Sequence, residues 1–204
     1  VSKKQERIEL VVASRNLKKF REIKEILKGL NIKITSLRDY PGAPHIAENG
    51  RTFKENAIKK ADRIARFTKR LTLGEDSGLE VVALGGRPGI YSSRFSGRDK
   101  DDLKNNLKLL KLLGNLPSAK RRARYVCSVA VADENGLLGV VEGYCYGLIV
   151  FKLRGSFGFG YDPLFIVPKY RKTFAQLGPR IKHRMSHRFR ALKHAKGIIL
   201  KYLH

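Results

Sequence analysis

Hydrophobic and polar positions along the chain switch between two periods. Ile8-Glu9-Leu10-Val11-Val12-Ala13 is a short, largely apolar run rich in β-branched residues, which predicts a buried strand. After Ser14-Arg15-Asn16 the period lengthens: Phe20, Ile23, Ile26 and Leu27 recur at helical spacing, and Gly29 stops them. Asn16 stands where an N-cap belongs, with a side-chain oxygen suited to a first-turn amide. A second helix opens at Thr52-Phe53-Lys54-Glu55, a capping-box pattern, and continues through Ala57, Ala61, Ile64 and Ala65. A third is expected from Lys100 to Leu113, ending at Gly114. Tyr125 to Ala132 and Leu137 to Val150 read as two strands around an Asp133-Glu134-Asn135-Gly136 turn, a hairpin signal. Leu164-Phe165-Ile166-Val167 is a short strand stopped by Pro168. The last helix begins after Ser186 and turns Phe189, Leu192, Ala195, Ile199 and Leu203 inward. Strands and helices mix throughout, so the expected class is α/β with a mixed sheet, not a regular doubly wound repeat. No repeat, low-complexity tract or linker marks a boundary, and residues 1–204 are read as one domain.

Composition narrows the class. With 42% hydrophobic and 30% charged residues over 204 positions, the chain can bury a core and is neither disordered nor fibrous. No window approaches the roughly 18 apolar residues of a membrane span. The start, VSKKQERIELVVAS, has an apolar run too short for a signal segment, so the expectation is a cytoplasmic protein with no membrane partner. Cys127 and Cys145 fall inside strands and outside any CxxC or Cys/His cluster, which argues for core residues and against zinc or a disulfide framework. Lys and Arg number 43 against 18 Asp and Glu, a net charge of +25. Such a field attracts nucleic acid, acidic membranes or phosphorylated small molecules. Composition does not choose among them, and a compositional habit without function gives the same excess.

Five segments carry candidate chemistry. Ser14 to Lys19 links a strand to a helix N-terminus, where amides and the helix dipole favour an anion and Lys18 and Lys19 add charge. No GxxxxGK[ST] loop is present. Leu73-Gly74-Glu75-Asp76-Ser77-Gly78-Leu79 reads as an acidic turn at a strand end, where carboxylates suit Mg²⁺ and one of them suits deprotonating a water. The loop from Gly86 to Gly97 offers Arg94 to a phosphate or to its own backbone. Arg154 to Pro163 interleaves three glycines with aromatics, and Phe159 or Tyr161 presents a flat face for a base. Lys182 to Arg188 is a donor-rich strip closing on a helix start at Ser186. Taken singly, each has a plain structural reading: a capped helix, a turn, core filler or a solvated face. Together they suggest the parts of one site, that of a nucleotide phosphohydrolase.

The order and wording of ASRNLKKFREI, TFKENAIKKA, GEDSGLEVVALGGRPGIYSSRFSG, GFGYDPLF and K-x-x-x-SHR resemble the inosine triphosphate pyrophosphatase family over nearly the whole chain. That resemblance implies an elongated sheet flanked by helices, with two lobes around a central cleft, working as a homodimer. It also implies Mg²⁺-dependent hydrolysis of deaminated purine triphosphates (ITP, dITP, XTP) to monophosphate and pyrophosphate, cleansing the nucleotide pool. Carried over residue by residue, Ser14, Arg15, Asn16, Leu17, Lys18 and Lys19 would bind the triphosphate, and Lys60 would add a phosphate contact. Asp76 would be general base and metal neighbour, with Glu48 and Glu75 as further metal positions and Ser77 on the substrate. Phe159, Gly160, Tyr161, Asp162, Lys182, His187 and Arg188 would hold the base. Three features depart from the family pattern: Arg15 where Gly is common, Glu75 where Asp is usual, and the large positive charge. A basic nucleic-acid-binding protein is the rival of another class, although no specific nucleic-acid module is visible; a general NTP pyrophosphatase of the same fold is the other alternative.

Overall fold

Strand pairing in this computed structural model, which describes residues 7–203, follows the two periods read from the chain. Residues 1–6, the charged start, lie outside the described range. The seven strands are β1 (Ile8–Val12), β2 (Ile32–Ser36), β3 (Leu71–Val81), β4 (Arg122–Asp133), β5 (Gly136–Ile149), β6 (Phe165–Val167) and β7 (Lys172–Thr173). They form one sheet in the order β2-β1-β3-β4-β5-β6-β7. β1 runs parallel to β2 and β3, with Leu10 opposite Ile34 and Leu71, whereas β6 is antiparallel to β5 and β7. The sheet is therefore mixed. Its helices are α1 (Leu17–Ile26), α2 (Phe53–Thr68), α3 (Asp102–Leu113), α4 (Phe174–Lys182) and α5 (His187–Leu203).

The chain divides into two compact units. The first comprises the chain up to Asp76, Ser128–Glu142 and the stretch from Ala191; the second comprises Ser77–Cys127 and Gly143–Arg190. In the first unit, Val11, Ala13, Leu37, Ala43 and Ile64 form one core, and Ala57, Ala61, Ala65, Ala130 and Ala132 form another. That alanine stripe lets α2 lie close to the sheet. A Cβ on Gly74 would stand 2.6 Å from Ala61 N and would also strike Ala57 O, so only glycine fits there. In the second unit, Tyr125, Tyr161, Leu164, Phe165 and Phe174 pack with Leu79, Leu109 and Ile149. Cys127 and Cys145 are buried and form no disulfide, and burial pushes the Cys145 thiol up to about 11.

Four sequence expectations change. GEDSG is not a turn at a strand end: residues 74–78 lie in the middle of the 11-residue β3. Gly74 and Gly78 look like turn residues in the sequence, but Gly74 is there for close packing against α2. At the start of α2, Thr52 Oγ1 accepts Glu55 N–H at 3.0 Å, as a capping box requires. The reciprocal bond shifts by one residue, since the Glu55 carboxylate takes Arg51 N–H at 2.8 Å. The complete capping box is at α4, between Thr173 and Gln176, in a segment where no helix was expected. Gly178, at φ 74°, and Pro179 kink that helix and give its sequence the look of a loop. β2 was likewise not expected; it is a five-residue strand whose pairing with β1 gives it its place.

Candidate active site

Two polar centres are built on these elements, one in each unit. In the first unit, β3 supplies Glu75 and Asp76 as consecutive residues, and α1 and α2 supply their partners. Successive strand side chains leave on opposite faces. Accordingly Glu75 Oε2 meets Lys19 Nζ of α1 at 2.9 Å, while Asp76 turns to α2. There Lys60 Nζ lies 3.2 Å from Asp76 Oδ1 and 2.8 Å from Glu48 Oε1. Asn56 Nδ2 donates to the other oxygen, Asp76 Oδ2, at 3.0 Å. Asn56 and Lys60 are one helical turn apart and so share a face. The Asn56 side-chain oxygen accepts Gly50 N–H at 2.8 Å, which ties down the loop that carries Glu48.

Three carboxylates thus surround two ammonium groups in a largely buried setting; Asp76 is 5% exposed and Glu75 is 3% exposed. Burial pushes the Asp76 carboxyl above the ordinary carboxylate range; Lys60 and Lys19 pull it down, but Glu48 and Glu75 reinforce the burial. For Lys60, burial opposes the charge, yet Asp76, Glu48 and Glu75 outweigh it and hold the ammonium above the ordinary lysine range. The causes differ: burial dominates at Asp76, whereas at Lys60 the surrounding carboxylates overcome burial. The described residues contain no group of three His, Cys, Asp or Glu side chains arranged to hold a metal ion. Mg²⁺ does not need such a cage: it binds one or two carboxylates and completes its shell with water and phosphate oxygens. The hard oxygens of Glu48 and Asp76, which share Lys60, fit that demand, with Glu75 adding negative charge from the other face of β3.

The loop before α1 is shaped by its own polar groups. Asn16 Oδ1 accepts Lys18 N–H at 3.0 Å and Lys19 N–H at 3.2 Å, and Ser14 Oγ accepts Asn16 N–H at 3.1 Å. Several amides expected to face an anion are therefore engaged by the cap. Arg15 donates to Ala43 O at 2.9 Å, so this departure from the family pattern pins the loop to the 43 region. Leu17 opens the helix, and Lys18 is exposed on its first turn.

The second unit holds a different centre. Asp162, 1% exposed, accepts Lys182 Nζ at 2.6 Å and Phe159 N–H at 2.9 Å on Oδ2. Tyr125 donates its hydroxyl to Asp162 Oδ1 at 3.4 Å. Burial, reinforced by the charge of Asp162, raises the Tyr125 phenol well above its usual value, so it stays a donor. The Tyr125 ring stacks on His187 with centroids 4.5 Å apart and planes within 7°. Arg188 Nη2 donates to Ser77 Oγ at 3.0 Å. Lys182 Nζ and the Arg188 guanidinium lie 4.6 and 5.7 Å from the centre of the Phe159 ring. Within the Lys182–Arg188 strip, Lys182, His187 and Arg188 are buried, and Arg184 is the exposed member. Tyr161 is a core residue whose hydroxyl donates to Ser92 O at 2.8 Å, which leaves Phe159 as the half-buried ring of the loop.

The structure therefore joins Glu48, Lys60 and Asp76 in one cluster, with Lys19 and Glu75 paired beside it, and joins Ser77, Phe159, Asp162, Lys182 and Arg188 in another. Asn56 and Tyr125 were absent from the sequence-derived set. Asn56 had a readable signal, its i, i+4 relation to Lys60. Tyr125 had none, since an aromatic in a strand reads as core.

A family model described as the Ham1 family matches residues 10–198. The chain is 48% identical over 198 residues to a dITP/XTP pyrophosphatase of Desulforamulus reducens, covering 97% of this chain and 98% of that protein. It is 46% identical to a dITP/XTP pyrophosphatase of Geobacillus kaustophilus, covering 90% of each. Among solved structures, a HAM1 protein from Coxiella burnetii superposes with a TM-score of 0.86 at 37% identity, covering 95% of this chain and 99% of that one. The Ham1 protein of Staphylococcus aureus gives 0.84 at 37% identity, with the same coverage.

Proposed function

The chain belongs to the Ham1 family, and on that premise we propose that it hydrolyses deaminated purine nucleoside triphosphates (ITP, dITP and XTP) to the monophosphate and pyrophosphate. The names of the 48% and 46% identical relatives support the substrate class. The observation that carries the reaction type is Asp76, a buried carboxylate with one oxygen held by Asn56, the other by Lys60, and a proton affinity raised by burial. A carboxylate so placed is a stronger base than one in water and has its lone pairs oriented.

In this reading Asp76 takes a proton from a water as the water oxygen bonds to the α-phosphorus. The bond from that phosphorus to the bridging oxygen breaks, and its electron pair leaves on pyrophosphate. Lys19 and the α1 N-terminus stabilise the charge that develops on the departing group. Lys60 keeps Asp76 and Glu48 together and adds positive charge beside the phosphates. Glu48 and Asp76, with Glu75 behind them, would hold Mg²⁺, which when bound neutralises phosphate charge.

Lys182 and Arg188 are the donors for a 6-keto oxygen, with Phe159 as the stacking ring. Adenine presents an amino group at that position and would leave buried donors unmatched, a costly exchange. The whole chain acts as one catalytic domain, as a cytoplasmic homodimer. A panel of ITP, dITP, XTP, GTP and ATP with pyrophosphate detection tests the reading. Fast release from the first three and slow release from ATP is expected. Equal rates on all five would make the protein a general NTP pyrophosphatase, and no release would end the enzyme reading.

A further inference from the structure

Gly160 is gripped by α3 through both of its backbone polar groups. Its N–H donates to Asp102 Oδ2 at 2.9 Å, and its carbonyl accepts from Asn106 Nδ2 at 2.8 Å, across 58 and 54 residues of sequence. Asp102 and Asn106 are one helical turn apart and so present to the same side. Asp101 caps the helix, accepting Lys104 N–H at 3.0 Å, which leaves the Asp102 carboxylate for the loop. Asn106 is 3% exposed, and its Nδ2 also donates to Asp102 O at 2.7 Å. With two carbonyls facing the amide nitrogen, the reversed orientation would set oxygen against oxygen, so the donor direction is forced.

Gly160 has φ +61° and lies between Phe159, whose ring faces Lys182 and Arg188, and Tyr161, anchored on Ser92. Residues 151–158 before it are exposed, so apolar packing does little to fix this part of the loop. Hydrogen bonds to its backbone do that instead, and they set position sharply while adding little net stability.

We propose that Asp102 and Asn106 are positioning residues for nucleobase discrimination: by clamping the Gly160 peptides they hold Phe159 against Lys182 and Arg188, where the base is read. The inference rests on the proposed function and deepens it.

The test compares Asp102→Ala, Asp102→Asn and Asn106→Asp with the wild-type full chain in pyrophosphate-release assays on ITP and ATP. For Asp102→Ala and Asn106→Asp, KM for ITP should rise about threefold to tenfold for the lost hydrogen bond, with kcat little changed. The ITP-to-ATP ratio of kcat/KM should fall by a similar factor. Asp102→Asn keeps an acceptor oxygen toward Gly160 N–H and should restore the ratio. A ratio unchanged in both disruptive variants, or a lower melting temperature with equal losses on both substrates, overturns the proposal. If Asp102→Ala does not fold, Asn106→Asp, which has the same shape, decides; if neither folds, the clamp is a folding element and the proposal fails. Wild-type protein that releases no pyrophosphate from ITP sinks the functional reading and this inference with it, whereas retained selectivity in the variants sinks the inference alone.

Discussion

Asn56 Nδ2 donates to Asp76 Oδ2 at 3.0 Å while the other end of the same amide accepts Gly50 N–H at 2.8 Å. One side chain thus orients the candidate base and fastens the loop that carries Glu48. Asn56→Ala is expected to leave the fold intact by circular dichroism and to lower kcat by up to about 10²-fold, the effect of a misplaced reacting group. Asn56→Asp should be worse, because it adds a fourth carboxylate beside Asp76. An Asn56→Ala enzyme with normal kcat would remove Asn56 from the site.

Asp76→Asn keeps the shape of the side chain and removes its basicity. Nucleotide binding should persist, while kcat falls by roughly 10²–10⁴, the usual range for general-base catalysis. Single-turnover pyrophosphate release alongside equilibrium binding of ITP separates the two effects. Near-normal turnover would strip Asp76 of its role.

The pH dependence follows from the direction of the Asp76 shift. The base must be ionised, and burial raises its proton affinity, so kcat/KM should fall on acidification at a pH above the ordinary carboxylate range. Lys60 pulls that value down. In Lys60→Gln the pull is lost, and the acid limb should therefore move to higher pH. A limb that stays put or moves to lower pH would contradict the pairing of Lys60 with Asp76.

Gly74→Ala tests the packing that brings α2 to β3. The added Cβ meets the backbone of Ala57 and Ala61, which cannot yield as a flexible side chain would. A loss of about 1–3 kcal/mol is expected from overpacking, together with reduced kcat as Asn56 and Lys60 shift. Thermal unfolding and initial rates measure both. Wild-type stability in this variant would show that α2 has more room than its alanine stripe implies.

Metal dependence is checked by chelation. EDTA should abolish pyrophosphate release, and Mg²⁺ should restore it. Glu48→Gln should raise the Mg²⁺ concentration for half-maximal rate by roughly tenfold, as expected when a group supporting a metal is lost. Full activity in EDTA would remove the cation from the proposed reaction.

Much of the local structure was legible in the chain itself. Leu10-Val11-Val12, the period of Phe20, Ile23 and Ile26, Asn16 as a cap, and the Asp133–Gly136 turn each depend on neighbours within a few residues. Such spacing is what local backbone sterics and capping respond to. The candidate residues were legible too, as residue types suited to phosphate, metal and base.

Tertiary structure decided how they meet. Gly74 looked like part of a turn, and only the approach of Ala57 and Ala61 reveals it as a packing glycine inside β3. Glu75 and Asp76 looked like a joint acid pair, but strand alternation sends one to Lys19 and the other to Asn56 and Lys60. Lys182, His187 and Arg188 read as a solvated strip only when the charge run is taken alone; their partners, Asp162, Tyr125 and Ser77, come from distant parts of the chain and receive them in the interior. The sequence by itself determined periods, caps and chemical types, because these answer to neighbours a turn or a strand pleat away. The partner of each buried charge was decided by sheet register and helix approach, which bring together residues 12 to 111 positions apart.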